Sequence, residues 1–231
     1  MIRAVFMDID NTLLDFDAAA QEGMEHCFED AGLTYKPEMF AVFKEENDQI
    51  WKKIEQGILT MDDLPYVRWQ AILKKLGLEA DGVAMEMLFR KCLFYSAVPV
   101  EGAKEILDYL QGKYILCTAS NGPYEQQICR LKKADMLKDF DPCFVSEKIG
   151  VDKPDVRFFQ RCLEQLPGIR AEECMIVGDS LTADIAGGQA AGMETCWFCR
   201  EKMEEAQLEN VKRTHKADHV IRRLDELKDL L

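Results

Sequence analysis

The chain has 231 residues, of which 48% are hydrophobic and 31% charged, a composition typical of globular proteins. Its 42 acidic and 29 basic residues leave a formal net charge of -13, and such a field repels nucleic acid polymers and anionic membrane surfaces. The apolar runs are too short to span a bilayer and the N-terminus does not resemble a signal peptide. We therefore expect a cytoplasmic monomer or homodimer, with no membrane and no nucleic acid polymer among its partners.

The nine cysteines are scattered along the chain and odd in number. Most lie within apolar stretches, which in a reducing compartment indicates buried thiols rather than disulfides. Cys196 and Cys199 form the one close pair, but no second pair and no nearby histidine completes a zinc site. We expect both thiols to be structural.

Five short runs rich in β-branched and aromatic residues predict strands, and a sixth short strand is expected before a terminal helix. The predicted strands cover residues 4–8, 114–120, 143–146, 174–179, 195–199 and 219–221. Segments of helical character separate the later strands, at residues 124–134, 154–166 and 183–191. This alternation predicts an α/β fold with a mostly parallel sheet covered on both faces.

The segment between the first two predicted strands contains no convincing strand. It shows four helical stretches instead, at residues 18–31, 37–56, 60–77 and 82–94. A crossover between parallel strands needs one helix, so about three helices are surplus. We expect them to form a helical cap domain at residues 16–96, inserted into a core domain of residues 1–15 and 97–231.

Two acids follow the first predicted strand. Asp8 and Asp10 are one residue apart, so their side chains can project to the same side of the carboxyl end of the strand. Ligands bind at that end in open α/β sheets. Adjacent carboxylates repel each other and favour a cation, and hard oxygen ligands suit Mg²⁺. A polar loop is the ordinary explanation of such a pair taken alone.

A second acidic strand end argues against that ordinary explanation. The predicted strand at residues 174–179 runs into Gly178 and Asp179, and Asp184 follows five residues later. Gly178 permits a tight turn and a close backbone approach. If the strands that carry Asp8 and Asp179 are neighbours, three carboxylates converge.

Two further segments carry groups that suit an anion. Ser120, Asn121 and Gly122 end the second predicted strand and could donate hydrogen bonds to phosphate oxygens, although this is also an ordinary turn sequence. Lys153 precedes Pro154 at the start of a predicted helix and could neutralise the carboxylates and a phosphate. The chain has no Gly-Lys-Ser/Thr loop of the kind that binds nucleoside triphosphates.

In this order, the four segments resemble the motifs of the haloacid dehalogenase superfamily. They are Asp8-Ile9-Asp10-Asn11-Thr12, then Ser120, then Lys153, and then Gly178-Asp179 with Asp184. The resemblance implies a Rossmann-like, three-layer core, with the helical insert at the place of that family's first type of cap. It also implies a phosphatase that acts on a small phosphorylated metabolite.

The resemblance assigns roles to the acids. Asp8 would be the nucleophile that forms an aspartyl-phosphate, and Asp10 the general acid and base. Mg²⁺ would be held by Asp8, the backbone carbonyl of Asp10 and Asp179, with Asp184 in support. Dehalogenases of the superfamily lack the second acid, so Asp10 favours phosphoester chemistry.

It also assigns the groups that would bind phosphate. Ser120, backbone groups of Asn121 and Lys153 would hold the phosphoryl oxygens and offset their charge.

Longer runs around these motifs, at residues 146–154 and 178–188, resemble a bacterial branch that contains pyrimidine nucleoside 5'-monophosphate phosphatases. The order Asn121-Gly122 followed by Gln126-Gln127 is similar to it as well. A broad sugar-phosphate or phosphoglycolate phosphatase remains the alternative on the same chemistry. A non-catalytic binding module is a third reading, disfavoured because Asp8, Asp10, Lys153 and Asp179 are all present.

Substrate specificity would belong to the predicted cap. Phe16, just after the first motif, is the residue we expect to contact substrate. Trp51, Tyr66 and Trp69 could stack on a base, but aromatic residues at helical spacing are more often part of a core. We expect them mainly in the core.

Overall fold

The computed structural model describes residues 1–200 and 203–231. The chain divides into two compact units, one of residues 1–15 and 98–231 and the other of residues 16–97. We call these the sheet unit and the helical unit. In the described part of the chain, no helix combines the length and the apolar character needed to cross a bilayer.

The sheet unit contains a six-stranded parallel sheet with the order β3-β2-β1-β4-β5-β6. Its strands are β1 (Ala4–Met7), β2 (Ile115–Ser120), β3 (Cys143–Val145), β4 (Cys174–Gly178), β5 (Glu194–Phe198) and β6 (His219–Ile221). The predicted α/β fold is thus confirmed, with strand ends within about a residue of those expected. Because β1 pairs with both β2 and β4, the acidic ends of β1 and β4 are neighbours.

The helical unit consists of four helices in sequence. They are α1 (Phe16–Asp30), α2 (Met39–Glu55), α3 (Leu64–Leu76) and α4 (Gly82–Tyr95). Trp69 is fully buried at the centre of this unit, with its ring 5.5 Å from that of Phe89 and 6.1 Å from that of Phe43. The expected core position is confirmed for Trp69, whereas Tyr66 is 67% exposed, so for that residue the expectation is wrong.

The helices of the sheet unit follow. They are α5 (Ala103–Leu110), α6 (Tyr124–Lys133), α7 (Ser146–Ile149), α8 (Val156–Leu163), α9 (Ala186–Ala191) and α10 (Glu205–His215). The expected terminal helix is a 3₁₀ segment, Leu224–Asp229, and a π-helical turn, Leu181–Ile185, precedes α9.

The helix that connects the helical unit to β2 is not one of those predicted from the sequence. One of the four helices before residue 97 was expected to make this crossover, but α5 makes it. All four earlier helices therefore belong to the helical unit. The apolar residues of α5 repeat at helical spacing, and the buried ones are Ala103, Ile106, Leu107 and Leu110. This helix is only eight residues long, so its pattern is easily missed.

The sheet is buried because helices pack on it from both faces. Every residue of β1 is buried, and Phe6 stacks on Phe144 with ring centroids 5.8 Å apart. On the side of α9, a Cβ added at Gly188 would lie 2.3 Å from the Cγ2 atom of Ile176. The small residues of α9 thus permit its close approach to β4.

The two points where the chain leaves and re-enters the sheet unit are joined by backbone hydrogen bonds. Asp15 N donates to Val98 O at 2.8 Å, and Val100 N donates to Leu13 O at 2.9 Å. Between them, Leu14 forms an antiparallel bridge with Pro99.

Candidate active site

Asp8 is the first residue after β1 and lies at the edge of the sheet where β1 and β4 end. Its N–H donates to Val177 O at 2.9 Å, which extends the pairing with β4. The carbonyl of Ile9 then accepts from the N–H groups of Leu13 and Leu14, at 2.9 and 2.8 Å. The side chain of Asp8 is only 9% exposed, whereas that of Asp10 is 30% exposed.

Lys153 is buried beside Asp8. Its Nζ atom lies 2.9 Å from Asp8 Oδ1 and 2.5 Å from Asp184 Oδ1, and it also donates to the carbonyl of Ala119 at the end of β2. An ammonium has three donors, and in this structure they face these three acceptors. The lysine predicted from a loop position is therefore an integral part of the acidic cluster.

The side chain of Asn121 holds the backbone of Lys153. Asn121 Nδ2 donates to Lys153 O at 2.9 Å, and Lys153 N donates to Asn121 Oδ1 at 2.8 Å. In the next position, Gly122 N donates to Ser146 Oγ at 3.1 Å. The segment after β2 and the loop of Lys153 are thus joined by side-chain hydrogen bonds in both directions.

The second acidic strand end supplies Asp179 and Asp184. One carboxylate oxygen from each of Asp8, Asp179 and Asp184 lies within 4.8 Å of the others. Asp184 belongs to the π-helical turn, and its Oδ2 atom accepts from Ser180 N at 3.0 Å. Trp197 on β5 donates from Nε1 to the carbonyl of Asp179 at 2.8 Å and holds the loop from the other side.

The cluster carries more negative than positive charge. Burial raises the pKa of Asp8 to about 7; the Lys153 ammonium opposes this shift, and the charges of Asp184 and Asp10 add to it. Burial, together with the charges of Asp8 and Asp184, raises the pKa of Asp179 well above its usual range. Burial alone would lower the pKa of Lys153, but the attraction of Asp184 and Asp8 outweighs burial and raises it. Three acids facing one ammonium are chemically suited to a divalent cation with oxygen ligands.

Asp10 has a different set of partners, on α6. Arg130 Nη1 lies 2.5 Å from Asp10 Oδ1, and Gln127 Nε2 donates to Asp10 Oδ2 at 2.7 Å. The same Gln127 amide donates to Ser120 Oγ at 2.8 Å, and Arg130 Nη1 donates to Gln127 Oε1 at 2.9 Å. The network links the acid after β1 to the hydroxyl at the end of β2.

The structure therefore brings most of the predicted site residues to one edge of the sheet. These are Asp8, Asp10, Ser120, Asn121, Lys153, Asp179 and Asp184. Phe16 belongs to the helical unit, where it begins α1 and its side chain packs, partly buried, against the core of that unit.

Sequence reasoning missed Arg130 and Trp197 as members of this region, and it noted Gln127 only for its resemblance to a family branch. The sequence does contain a signal for Gln127 and Arg130. Gln127 lies three residues before Arg130 and four before the apolar Leu131, so the three side chains lie on one face of the helix. Polar side chains on the buried face of a helix need partners, and Asp10 and Ser120 are those partners.

Comparison with known proteins agrees with this geometry. The model of the haloacid dehalogenase-like hydrolases matches residues 2–192. The HAD-hydrolase YfnB of Bacillus subtilis is 37% identical over 196 residues, which are 85% of this chain and 83% of YfnB. The pyrimidine 5'-nucleotidase PynA of Streptococcus pneumoniae is 30% identical over 203 residues, which are 87% of this chain and 86% of PynA.

A solved structure shows the same likeness over the whole chain. The crystal structure of Bacillus subtilis YfnB bound to magnesium aligns with a TM-score of 0.89 and 34% identity, covering 100% of this chain and 98% of YfnB. The resemblance seen in the four motifs is thus confirmed by the family match and by the structure. The chain belongs to the haloacid dehalogenase-like hydrolases.

Proposed function

We propose that this hydrolase is a Mg²⁺-dependent phosphatase that cleaves phosphate monoesters of small metabolites through an aspartyl-phosphate on Asp8. The observation that carries the proposal is the difference in surroundings between Asp8 and Asp10. Asp8 is buried in an ion pair with Lys153, while Asp10 is partly exposed and held by Gln127 and Arg130. Two carboxylates in such different surroundings suit two different roles.

In the first step, an Asp8 oxygen attacks phosphorus and forms an acyl-phosphate bond while the ester P–O bond breaks. Asp10 gives its proton to the departing alcohol oxygen. Lys153 and the hydroxyl of Ser120 bind the phosphoryl oxygens and offset the charge that develops on them.

In the second step, a water oxygen attacks the same phosphorus and loses a proton to the Asp10 carboxylate. The bond between Asp8 and phosphorus then breaks, and inorganic phosphate leaves. Both acids end the cycle as they began it, so no further reactant is needed.

The residues present fit a bound Mg²⁺. The three acids near one another, Asp8, Asp179 and Asp184, offer hard oxygen ligands, and among the described residues only one buried ammonium balances them. Asp8 and Asp179 would be direct ligands, with the carbonyl of Asp10. Asp184, whose carboxylate oxygens contact Lys153 Nζ and Ser180 N, would support them. Bound Mg²⁺ would supply positive charge that polarises the phosphoryl oxygens. Magnesium in the crystal structure of the relative YfnB supports this part of the proposal.

For the substrate, we propose pyrimidine nucleoside 5'-monophosphates. The support is the likeness to PynA, which is a pyrimidine 5'-nucleotidase and matches most of this chain. We also propose that the helical unit acts as the cap that selects the alcohol part of the substrate, with Phe16 as a contact. Its place in the sequence, between the loop of Asp10 and β2, supports this assignment.

The test is phosphate release from a panel of pyrimidine and purine nucleoside monophosphates, sugar phosphates and phosphoglycolate, with Mg²⁺ and with chelator. We expect Mg²⁺-dependent turnover that favours the pyrimidine compounds. Asp8→Asn should abolish turnover, whereas Asp10→Asn should slow both steps. With p-nitrophenyl phosphate, whose leaving group needs no proton, Asp10→Asn should accumulate phosphoenzyme, visible as added phosphoryl mass on the intact protein.

The outcomes separate the parts of the proposal. Broad Mg²⁺-dependent turnover would leave the mechanism and remove the pyrimidine preference. Turnover that persists in Asp8→Asn would exclude the aspartyl-phosphate route. A folded wild-type protein that releases phosphate from none of these esters would overturn the phosphatase assignment.

A further inference from the structure

The Asp10 carboxylate is held by two donors from one helix. Arg130 Nη1 contacts Oδ1 and Gln127 Nε2 contacts Oδ2, at 2.5 and 2.7 Å. A carboxylate has about four lone-pair sites, so one site on each oxygen stays available for the proton that Asp10 transfers, or for a substrate or a water molecule. The carboxylate is thus fixed in orientation without being fully occupied.

Gln127 also connects Asp10 to Ser120. Its Nε2 atom donates to Ser120 Oγ at 2.8 Å, while its Oε1 atom accepts from Arg130 at 2.9 Å. The bond from Arg130 identifies which end of the Gln127 amide faces Asp10 and Ser120. Because Ser120 Oγ accepts from Gln127, its own O–H remains to donate, and within the described residues its acceptor contact is a long one, 3.4 Å to Asn121 O. That proton can therefore turn to a phosphoryl oxygen.

Burial makes this arrangement hard to explain by stability alone. Gln127 and Arg130 are each 1% exposed, on the face of α6 that also buries Leu131. Buried polar and charged side chains of this kind often stabilise a fold no better than apolar residues of similar volume. The two residues instead give the buried face of α6 a set of donors directed at Asp10 and Ser120.

We propose that Gln127 and Arg130 are positioning residues, which hold the Asp10 carboxylate and the Ser120 hydroxyl in the arrangement that phosphoryl transfer requires. This inference rests on the proposed function. Asp10 must face the departing alcohol in one step and the attacking water in the next, and a free side chain at 30% exposure would rotate between the two. The two donors act through Asp10 and Ser120 and do not touch the reacting atoms.

The experiment compares four full-length variants with wild type: Arg130→Met, Arg130→Lys, Gln127→Met and the matched control Gln126→Met. Gln126 is the neighbouring glutamine on the same helix, half-buried and outside the network. Turnover of uridine 5'-monophosphate and p-nitrophenyl phosphate is measured with Mg²⁺, together with circular dichroism and thermal unfolding of each variant.

We expect kcat to fall by on the order of 10- to 100-fold in Arg130→Met and Gln127→Met, with KM within about threefold of wild type. Arg130→Lys should recover part of the loss, because it restores one charged donor. Gln126→Met should match wild type. In an Asp10→Asn background, Arg130→Met should add little further loss in single-turnover phosphate release, since the group it positions is already changed.

Several results would overturn the inference. Folded Arg130→Met and Gln127→Met proteins with kcat within twofold of wild type would exclude it, as would an increase in kcat. Losses that multiply fully with Asp10→Asn would show a general structural role instead. If Arg130→Met does not fold, Gln127→Met and Arg130→Lys decide the question. An inactive wild type would overturn the proposed function and this inference with it, whereas an active wild type with unchanged variants overturns this inference alone.

Discussion

Gly178 and Asp184 occupy space that leaves no room for a side chain between them: a Cβ built on Gly178 would lie 2.2 Å from Asp184 Oδ2. The glycine is therefore required by the position of a neighbouring carboxylate rather than by an unusual φ angle. The Asp184 carboxylate in turn contacts Lys153 and the N–H of Ser180. A single missing methyl group thus allows the two acidic strand ends to share one lysine.

Gly178→Ala should displace Asp184 and weaken its bonds to Lys153 and Ser180. Overpacking of this kind costs about 1–3 kcal/mol of unfolding free energy. We expect that loss in urea unfolding, together with a fall in phosphatase activity and in apparent Mg²⁺ affinity. Gly112→Ala is the control, because Gly112 has φ +77° and no atom within 4 Å of an added Cβ. It should lose stability but keep its activity, and equal activity in both variants would contradict the prediction.

The stability of the metal-free protein should depend on the charge of Asp8. Its pKa in the folded protein is raised to about 7 from 3.8, so the folded state binds a proton more tightly than the unfolded state does. The protonated Asp8 carboxyl therefore stabilises the folded protein. This stabilisation is complete below the pKa of Asp8 in the unfolded chain and is lost as pH rises through about 7. Thermal unfolding with chelator should therefore show a lower Tm at pH 8 than at pH 5.

Two comparisons isolate this effect. Asp8→Asn removes one titrating group and should make the decrease between pH 5 and pH 8 shallower, while Asp179, whose pKa is also raised, keeps its own contribution. Mg²⁺ added at pH 8 should raise the Tm of wild type, because it binds the folded protein. A wild-type decrease no steeper than that of Asp8→Asn would show that Asp8 does not govern it.

Trp197→Phe should weaken the metal site without disrupting the core. The variant removes the Nε1 donor to the Asp179 carbonyl but keeps an aromatic ring against Ile185. Loss of this hydrogen bond should lower the free energy of unfolding by about 1 kcal/mol. It should also raise the Mg²⁺ concentration needed for half-maximal activity several-fold. Trp51→Phe, in the helical unit, should leave the Mg²⁺ dependence unchanged. An identical Mg²⁺ titration for the two variants would refute the role of Trp197.

Asn121→Asp should disturb the loop that carries Lys153. The substituted side chain can still accept from Lys153 N, but it sets a carboxylate oxygen against the carbonyl of Lys153 in place of the amide donor. We expect a loss of about 1–3 kcal/mol in unfolding free energy and a higher KM, since Lys153 is proposed to bind phosphate. Urea unfolding and steady-state kinetics measure the two effects, and a wild-type KM would argue against the proposed coupling.

The buried ion pair of the helical unit offers a test of stability apart from the active site. Arg68 and Glu86 are 2.6 Å apart and almost fully buried, and burial lowers the pKa of Arg68. Arg68→Met should lower the free energy of unfolding by about 3–5 kcal/mol, because it leaves the Glu86 carboxylate without its main partner. Arg68→Met combined with Glu86→Leu should recover much of that loss in urea unfolding. A double variant no more stable than the single one would contradict this account.

The fold and the acidic motifs were predictable because both depend on local sequence. Apolar runs that end in Asp8 or Asp179 mark strand ends, and the parallel arrangement brings those ends to one edge. The partners of Asp10 were not predictable in the same way. The spacing of Gln127, Arg130 and Leu131 indicates one buried face of α6, but which residues this face meets depends on tertiary packing. The short crossover helix α5 was missed for the simpler reason that eight residues carry little periodic signal.

The backbone ladder between residues 13–15 and 98–100 has a consequence for how this enzyme can diversify. It brings the two ends of an 82-residue excursion, residues 16–97, within one hydrogen bond of each other. Loop closure costs only about 0.6 kcal/mol for each doubling of length, so the sheet tolerates inserted segments of very different length between residues 15 and 98. A segment of different length can therefore replace residues 16–97 while the sheet and the acidic residues at its edge stay in place.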